Sequence, residues 1–205
     1  MPKKEAPLAE LGSFLPAGSL DDVIAFLLKY KVHLTITRER QSVLGDYRNK
    51  HVHSNHRISV NGNLNHYSFL VTLLHELAHL LTYEKYGNRI PPHGSQWKKE
   101  YSMILSSFMS KKIFPQDVEL ALMKNLINPT ASSCADTNLI RVMRKYDEKS
   151  ERHLVEELPY GALFKIKGDK IFRKGDKVRK RFKCTEMSTG KVYLFSPVFE
   201  VHKVS

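Results

Sequence analysis

The stretch that decides how this chain reads is Leu73–Trp97, LLHELAHLLTYEKYGNRIPPHGSQW. Leu73, Leu74, Leu77, Leu80 and Leu81 recur at helical spacing, so the first half predicts a helix that packs a core. The same helix carries His75, Glu76 and His79, and a third histidine, His93, follows the pair Pro91-Pro92. A polar group buried without a partner costs roughly 1–3 kcal/mol, so three of them in an apolar helix call for a common explanation. Positions i and i+4 of a helix lie one above the other, and His75 and His79 therefore present both imidazoles to one point. Glu76 sits one residue round, within reach of a water at that point and angled away from direct ligation. This is the spacing of the H-E-x-x-H zinc site, in which the glutamate serves as general base. Core histidines bonded to their neighbours would account for either imidazole alone. They account poorly for three polar groups together.

A catalytic zinc takes three protein ligands and keeps a fourth position open. Thr82 and Lys85 stand where the metzincin pattern requires glycine and histidine, which excludes that pattern. Two candidates remain for the third ligand, Glu100 in the following helix and His93. The stiff Pro-Pro before His93 and Gly94 after it, which permits close backbone approach, favour His93.

Outward from this stretch, SLDDVIAFLLKYK predicts an amphipathic helix capped by Ser19, and VHLTITRER, SVLGDYR and HRISVNG predict three strands. Asn65 would cap the HELAH helix and Gly87 would end it. Ser95 would cap QWKKEYSMILSSFMSKK, and Pro115 would open QDVELALMKNLI. NPTASSCADT reads as a connector before a short helix in NLIRVMRKY. Beyond it, LVEEL, ALFKIK, KIFRK, VRKRFKCTEM and KVYLFSPVFEVHKV predict short strands and hairpins. HVHSNH, with His51, His53 and His56, reads as a solvated loop between strands and is left out of the site.

The chain has 205 residues, 41% hydrophobic and 26% charged, a balance that folds and can bury a core. Its first twenty residues show no clean secretory pattern, and its longest apolar run is interrupted by His75, Glu76 and His79, so no membrane span is expected. Two cysteines, Cys134 and Cys184, exclude a disulfide scaffold and any four-cysteine zinc site, and fit a cytoplasmic protein. The net charge of +12 is uneven: residues 161–205 hold twelve Lys/Arg against four Asp/Glu, or +8, leaving +4 for the other 160 residues. Such a field attracts phosphate backbones without reading sequence, which makes DNA or another nucleic acid a candidate partner.

HELAH followed after thirteen residues by His93-Gly94 and then Trp97 resembles the SprT-like family of zinc metalloproteases, whose motif is H-E-x-x-H with a third histidine in an H-G-x-x-aromatic context. SVLGDYR and HRISVNG also look like that family's small sheet, and the resemblance extends over about residues 18–125. It implies an α+β zincin-like core, one Zn²⁺ held by His75, His79 and His93, Glu76 as catalytic base, and a protein substrate. Relatives of the Spartan type digest proteins crosslinked to DNA. Many bacterial members end in a zinc ribbon built from two cysteine pairs, whereas this tail offers only Cys184.

The expected organisation is therefore a SprT-like zincin domain over 15–128, a helical connector over 129–150 and a basic β module over 151–205. That module resembles a metal-free ribbon held by Leu163, Phe164, Ile166, Phe172, Phe182, Tyr193, Leu194 and Phe195, with Cys184 a buried small hydrophobe. The expected function is zinc-dependent proteolysis of DNA-associated or damaged proteins. The alternative is a non-catalytic nucleic-acid-binding protein with a structural zinc. Tyr67, Tyr83 and Tyr101 are available to stabilise an oxyanion, and nothing in the sequence separates them.

Overall fold

The protein is described by a computed structural model covering residues 8–40, 43–51, 54–127, 136–148, 151–166 and 168–204; His53 and Cys134 lie outside these. The chain is mixed α+β and divides into two compact units, 1–147 and 148–205. Among the described residues no helix is long and apolar enough to cross a membrane.

In the first unit a short helix α1 (Leu8–Leu11) precedes α2 (Leu20–Lys29) and three strands, β1 (Val32–Thr37), β2 (Gly45–Arg48) and β3 (His56–Asn61). Ser19 occupies the N-cap of α2, but its hydroxyl donates to the Pro16 carbonyl at 2.7 Å and leaves the helix amides uncapped by side chain. β3 is the central strand, parallel to β1 and antiparallel to β2, with Val32 facing His56 and Gly45 facing Val60. Because β3 is covered on both sides, Ile58 and Val60 are fully buried. His56 is buried at the start of β3, contrary to the solvated loop expected for HVHSNH.

The long helix α3 (His66–Tyr86) follows, its start fixed by the Asn65 side chain accepting the Ser68 amide at 2.9 Å. Gly87 ends it at φ 76°, a left-handed conformation that glycine adopts without penalty. α3 is buried along most of its circumference, including Leu73, Leu74, Leu77 and Leu80, so it behaves as a core helix and not a surface one. Helices α4 (Ser95–Met109), α5 (Gln116–Ile127) and α6 (Thr137–Met143) complete the unit. The cap of α4 is Gly94, not Ser95, whose hydroxyl is turned to Gln96. α6 falls within the stretch read as a connector, and its Leu139 and Met143 enter the first unit's core.

The second unit is a six-stranded antiparallel sheet of order β4-β9-β5-β6-β7-β8: β4 (Arg152–Leu154), β5 (Leu163–Lys165), β6 (Ile171–Val178), β7 (Arg181–Glu186), β8 (Val192–Phe195) and β9 (Glu200–Lys203). LVEEL divides between β4 and a 3-10 turn at Val155–Glu157. The core is a ring cluster, Phe164 on Phe172 at 5.7 Å and Phe195 edge-on to Phe164 at 5.3 Å, with Val155, Leu158, Cys184 and Val201 around it. Leu194 and Tyr193 do not belong to that core. Both are exposed on β8, which has no further strand beyond it among the described residues.

One contact sets how closely β2 approaches α3. A Cβ built on Gly45 would lie 2.6 Å from Glu76 Oε1 and 2.8 Å from both Glu76 Cγ and Thr72 Cγ2, so only glycine fits. Gly45→Val should force the strand off the helix and destabilise the first unit by about 1–3 kcal/mol, the usual scale of overpacking. Thermal unfolding measures it, with a fall of several degrees expected for the variant and an unchanged transition counting against this packing.

Candidate metal centre

α3 delivers His75 and His79 one turn apart, and His93 reaches them from the loop leading into α4. His93 has φ 60°, an uncommon backbone for a non-glycine residue, and the next amide, Gly94, donates to the Pro91 carbonyl at 3.1 Å. This tight turn folds the loop back over the helix. His93 Nε2 then lies 3.2 Å from His75 Nε2 and 3.0 Å from His79 Nε2, and the three histidines form a group able to hold a metal ion.

The donor set fits a metal better than it fits a hydrogen-bonded trio. A ring nitrogen carries one proton or one lone pair, so His93 Nε2 can make at most one well-formed bond to its two neighbours. A tetrahedral ion with ligands at 2.0–2.1 Å, the zinc range, separates its nitrogens by about 3.3 Å, close to the spacing seen here. The imidazoles are also in the correct protonation state. Burial first, then the other two imidazoles, pushes His75 down to about 3; burial and His93 push His79 down to about 4; burial lowers His93. All three stay neutral, with a lone pair to offer.

Trp97 forms the floor. Its ring lies 4.7 Å from His75, 5.3 Å from His79 and 4.7 Å from His93, and it stacks on Tyr101 at 5.0 Å with the planes 10° apart. Trp97 Nε1 is buried without a hydrogen-bond partner among the described residues, and the ring packing around it offsets the cost of about 1–3 kcal/mol. On the other side Tyr47 of β2 lies parallel to His79 at 6.3 Å. Its hydroxyl meets His56 Nδ1 at 2.9 Å, His56 Nε2 meets Glu84 at 3.2 Å, and Lys50 holds Glu84 at 2.8 Å.

Glu76, the residue after His75 on α3, is buried against Gly45 of β2. Burial first, then the Asp46 carboxylate, pushes its carboxyl up to about 8, and Arg40 opposes the shift. Glu100 lies apart from the cluster, its carboxylate bound by Lys85 at 3.0 Å and by the Tyr86 hydroxyl at 3.3 Å. Of the three tyrosines considered, Tyr101 is buried behind Trp97, Tyr83 sits edge-on to His56, and Tyr67 packs on Phe114 and Tyr146. Sequence reasoning missed Gly45, Tyr47 and His56. Only Gly45 left a usable signal, a glycine inside a strand.

Fold and site together define an α+β protein with a three-histidine centre suited to one metal ion. The SprT-like family matches residues 25–121, and assignment to that family is supported over this segment, which contains β1–β3, the centre and the first half of α5. No curated protein and no solved structure gives a significant match.

The metal-free protein should show the burial of Glu76 in its pH dependence. Its folded carboxyl titrates near 8 against an ordinary value of 4.5, so between these the folded state holds the extra proton and stability falls as pH rises. His75 works in the opposite sense. The unfolded chain binds more protons between about 3 and 6.5, so its contribution is lost as pH falls through that window. Glu76→Gln removes only the first effect. With chelator present, its melting temperature should exceed wild type by an increment that grows from pH 4.5 to pH 8, and parallel profiles would contradict the assignment.

Proposed function

We propose that the protein is a zinc-dependent metalloprotease of the zincin type, acting in the cytoplasm on DNA-associated or damaged proteins. The convergence of His75, His79 and His93, with Glu76 buried on the same helix next to His75, supports this reading best. Zinc in such a site supplies Lewis-acid polarisation of the scissile carbonyl and lowers the pKa of a bound water towards about 7. Glu76 takes the proton of the attacking water and passes it to the leaving amine nitrogen. With a cation held by His75, His79 and His93, the Glu76 carboxyl would be drawn back from its burial-raised value towards the working range of a general base. Trp97 excludes water from beneath the imidazoles, and Gly45 lets Glu76 stand against β2.

A structural zinc in a nucleic-acid-binding protein is the competing reading. Structural sites are closed by four protein ligands, whereas the group found among the described residues has three. A buried carboxylic acid on the same helix, next to His75, is likewise chemistry that a structural ion does not need. The charge of +8 over residues 161–205 supports a nucleic-acid-bound substrate.

Purified wild type should hold one zinc per chain and cleave a DNA-binding protein, more rapidly with single-stranded DNA present. Glu76→Gln should retain the zinc and lose at least about 100-fold in rate, the scale of general-base catalysis. Equal cleavage by both proteins, or cleavage by neither, would end the protease reading. His93→Ala should lose tight zinc, and Glu100→Ala should keep it. Full zinc in His93→Ala would remove His93 from the ligand set.

A further inference from the structure

The free edge of the second sheet has surface chemistry that the metal centre does not use. β8 ends the strand order and is paired with β7 alone among the described residues. In an antiparallel ladder every second residue directs its N–H and C=O away from its neighbour, so this edge offers unpaired backbone groups. Residues paired across strands share a face, and the register places Leu194 beside Lys183, Val192 beside Thr185, and Thr185 beside Arg173. Val192 is 60% exposed and Leu194 53% exposed, and Ile171, two residues before Arg173, is exposed on the same face. Arg181 joins it, two residues before Lys183. Outside the β6 bulge, where Asp176 stands between the registers of Lys174 and Lys177, the strand positions of β5–β8 on this face hold no aspartate or glutamate.

We propose that β8 is a docking edge that accepts an extended, acidic polypeptide segment as an added strand. The backbone of β8 pairs with the incoming strand, Val192 and Leu194 cover its apolar side chains, and Lys183 receives a carboxylate while Arg173 and Arg181 extend the positive field. Charge and chemistry select this occupant. A second copy would bring the same cations against this face in a chain of net charge +12. Single-stranded nucleic acid is read by stacking on rings, whereas Phe164, Phe172 and Phe195 point into the core and the face offers aliphatic side chains. A bilayer would leave the edge backbone unsatisfied.

The test uses the full chain carrying Glu76→Gln, so that no peptidase activity consumes the probe. The probe is a fluorescent peptide of alternating Glu and Val, about eight residues long to match a strand. Anisotropy should show saturable binding, absent for the Lys-Val analogue and at least tenfold weaker when alternate amides on the pairing edge are N-methylated. Lys183→Glu and Leu194→Glu, with folding checked by circular dichroism, should each weaken binding at least tenfold. Amide exchange at β8 should slow on binding. No binding of the Glu-Val peptide, or binding indifferent to N-methylation and to both substitutions, overturns the proposal. Binding of oligo(dT) that Lys183→Glu abolishes, with none of the peptide, would assign the face to nucleic acid instead.

Discussion

One imidazole nitrogen, His93 Nε2, brought within hydrogen-bond distance of two others while having a single proton or lone pair to offer, is the constraint on which the first unit depends. The surroundings hold that arrangement in place. α3 is buried on most sides, so His75 cannot turn out to water, and Trp97 packs at a tilt against all three rings. The left-handed backbone at His93 is a local strain that the Pro91–Gly94 turn maintains. A single cation held by the three histidines would relieve the conflict by taking one lone pair from each.

Glu76 shows competing effects with an identifiable winner. Arg40 favours its charged form, but burial and Asp46 together outweigh it, and the carboxyl keeps its proton near neutrality. Arg40 is largely committed elsewhere, to the Asn61 side chain at 2.8 Å and Ser59 Oγ at 3.0 Å, where it ties the loop before β2 to β3. The placement of Glu76 is thus a packing result, set by a missing Cβ at Gly45, while its titration is an electrostatic one.

The second unit achieves stability without the two cysteine pairs of a zinc ribbon, and it lies outside the segment matched by the family. Stacked and edge-on phenylalanines fill its centre. Even a lysine is accommodated there. Lys174 is buried with Nζ donating to the Glu156 and Leu158 carbonyls and lying 4.3 Å from the centre of the Phe182 ring, so its charge is solvated by protein. Cys184 packs in the same core as a small apolar side chain.

How much was legible follows from which interactions are local. Helical spacing alone brings His75 and His79 together, the Asn65 cap and Gly87 stop are written beside the helix they bound, and period-two patterning marks most of the strands. The burial of His56 was not legible, because its partners Tyr47 and Glu84 lie 9 and 28 residues away. Nor was the exposure of Leu194, since alternation assigns a strand two faces without saying that no further strand would cover its edge. The sequence by itself determined a core helix that pairs two histidines one turn apart, and it offered two candidates for a third ligand. Only the tertiary structure decided between His93 and Glu100 by proximity: a strained turn carries one to the other imidazoles, and Lys85 and Tyr86 hold the other away.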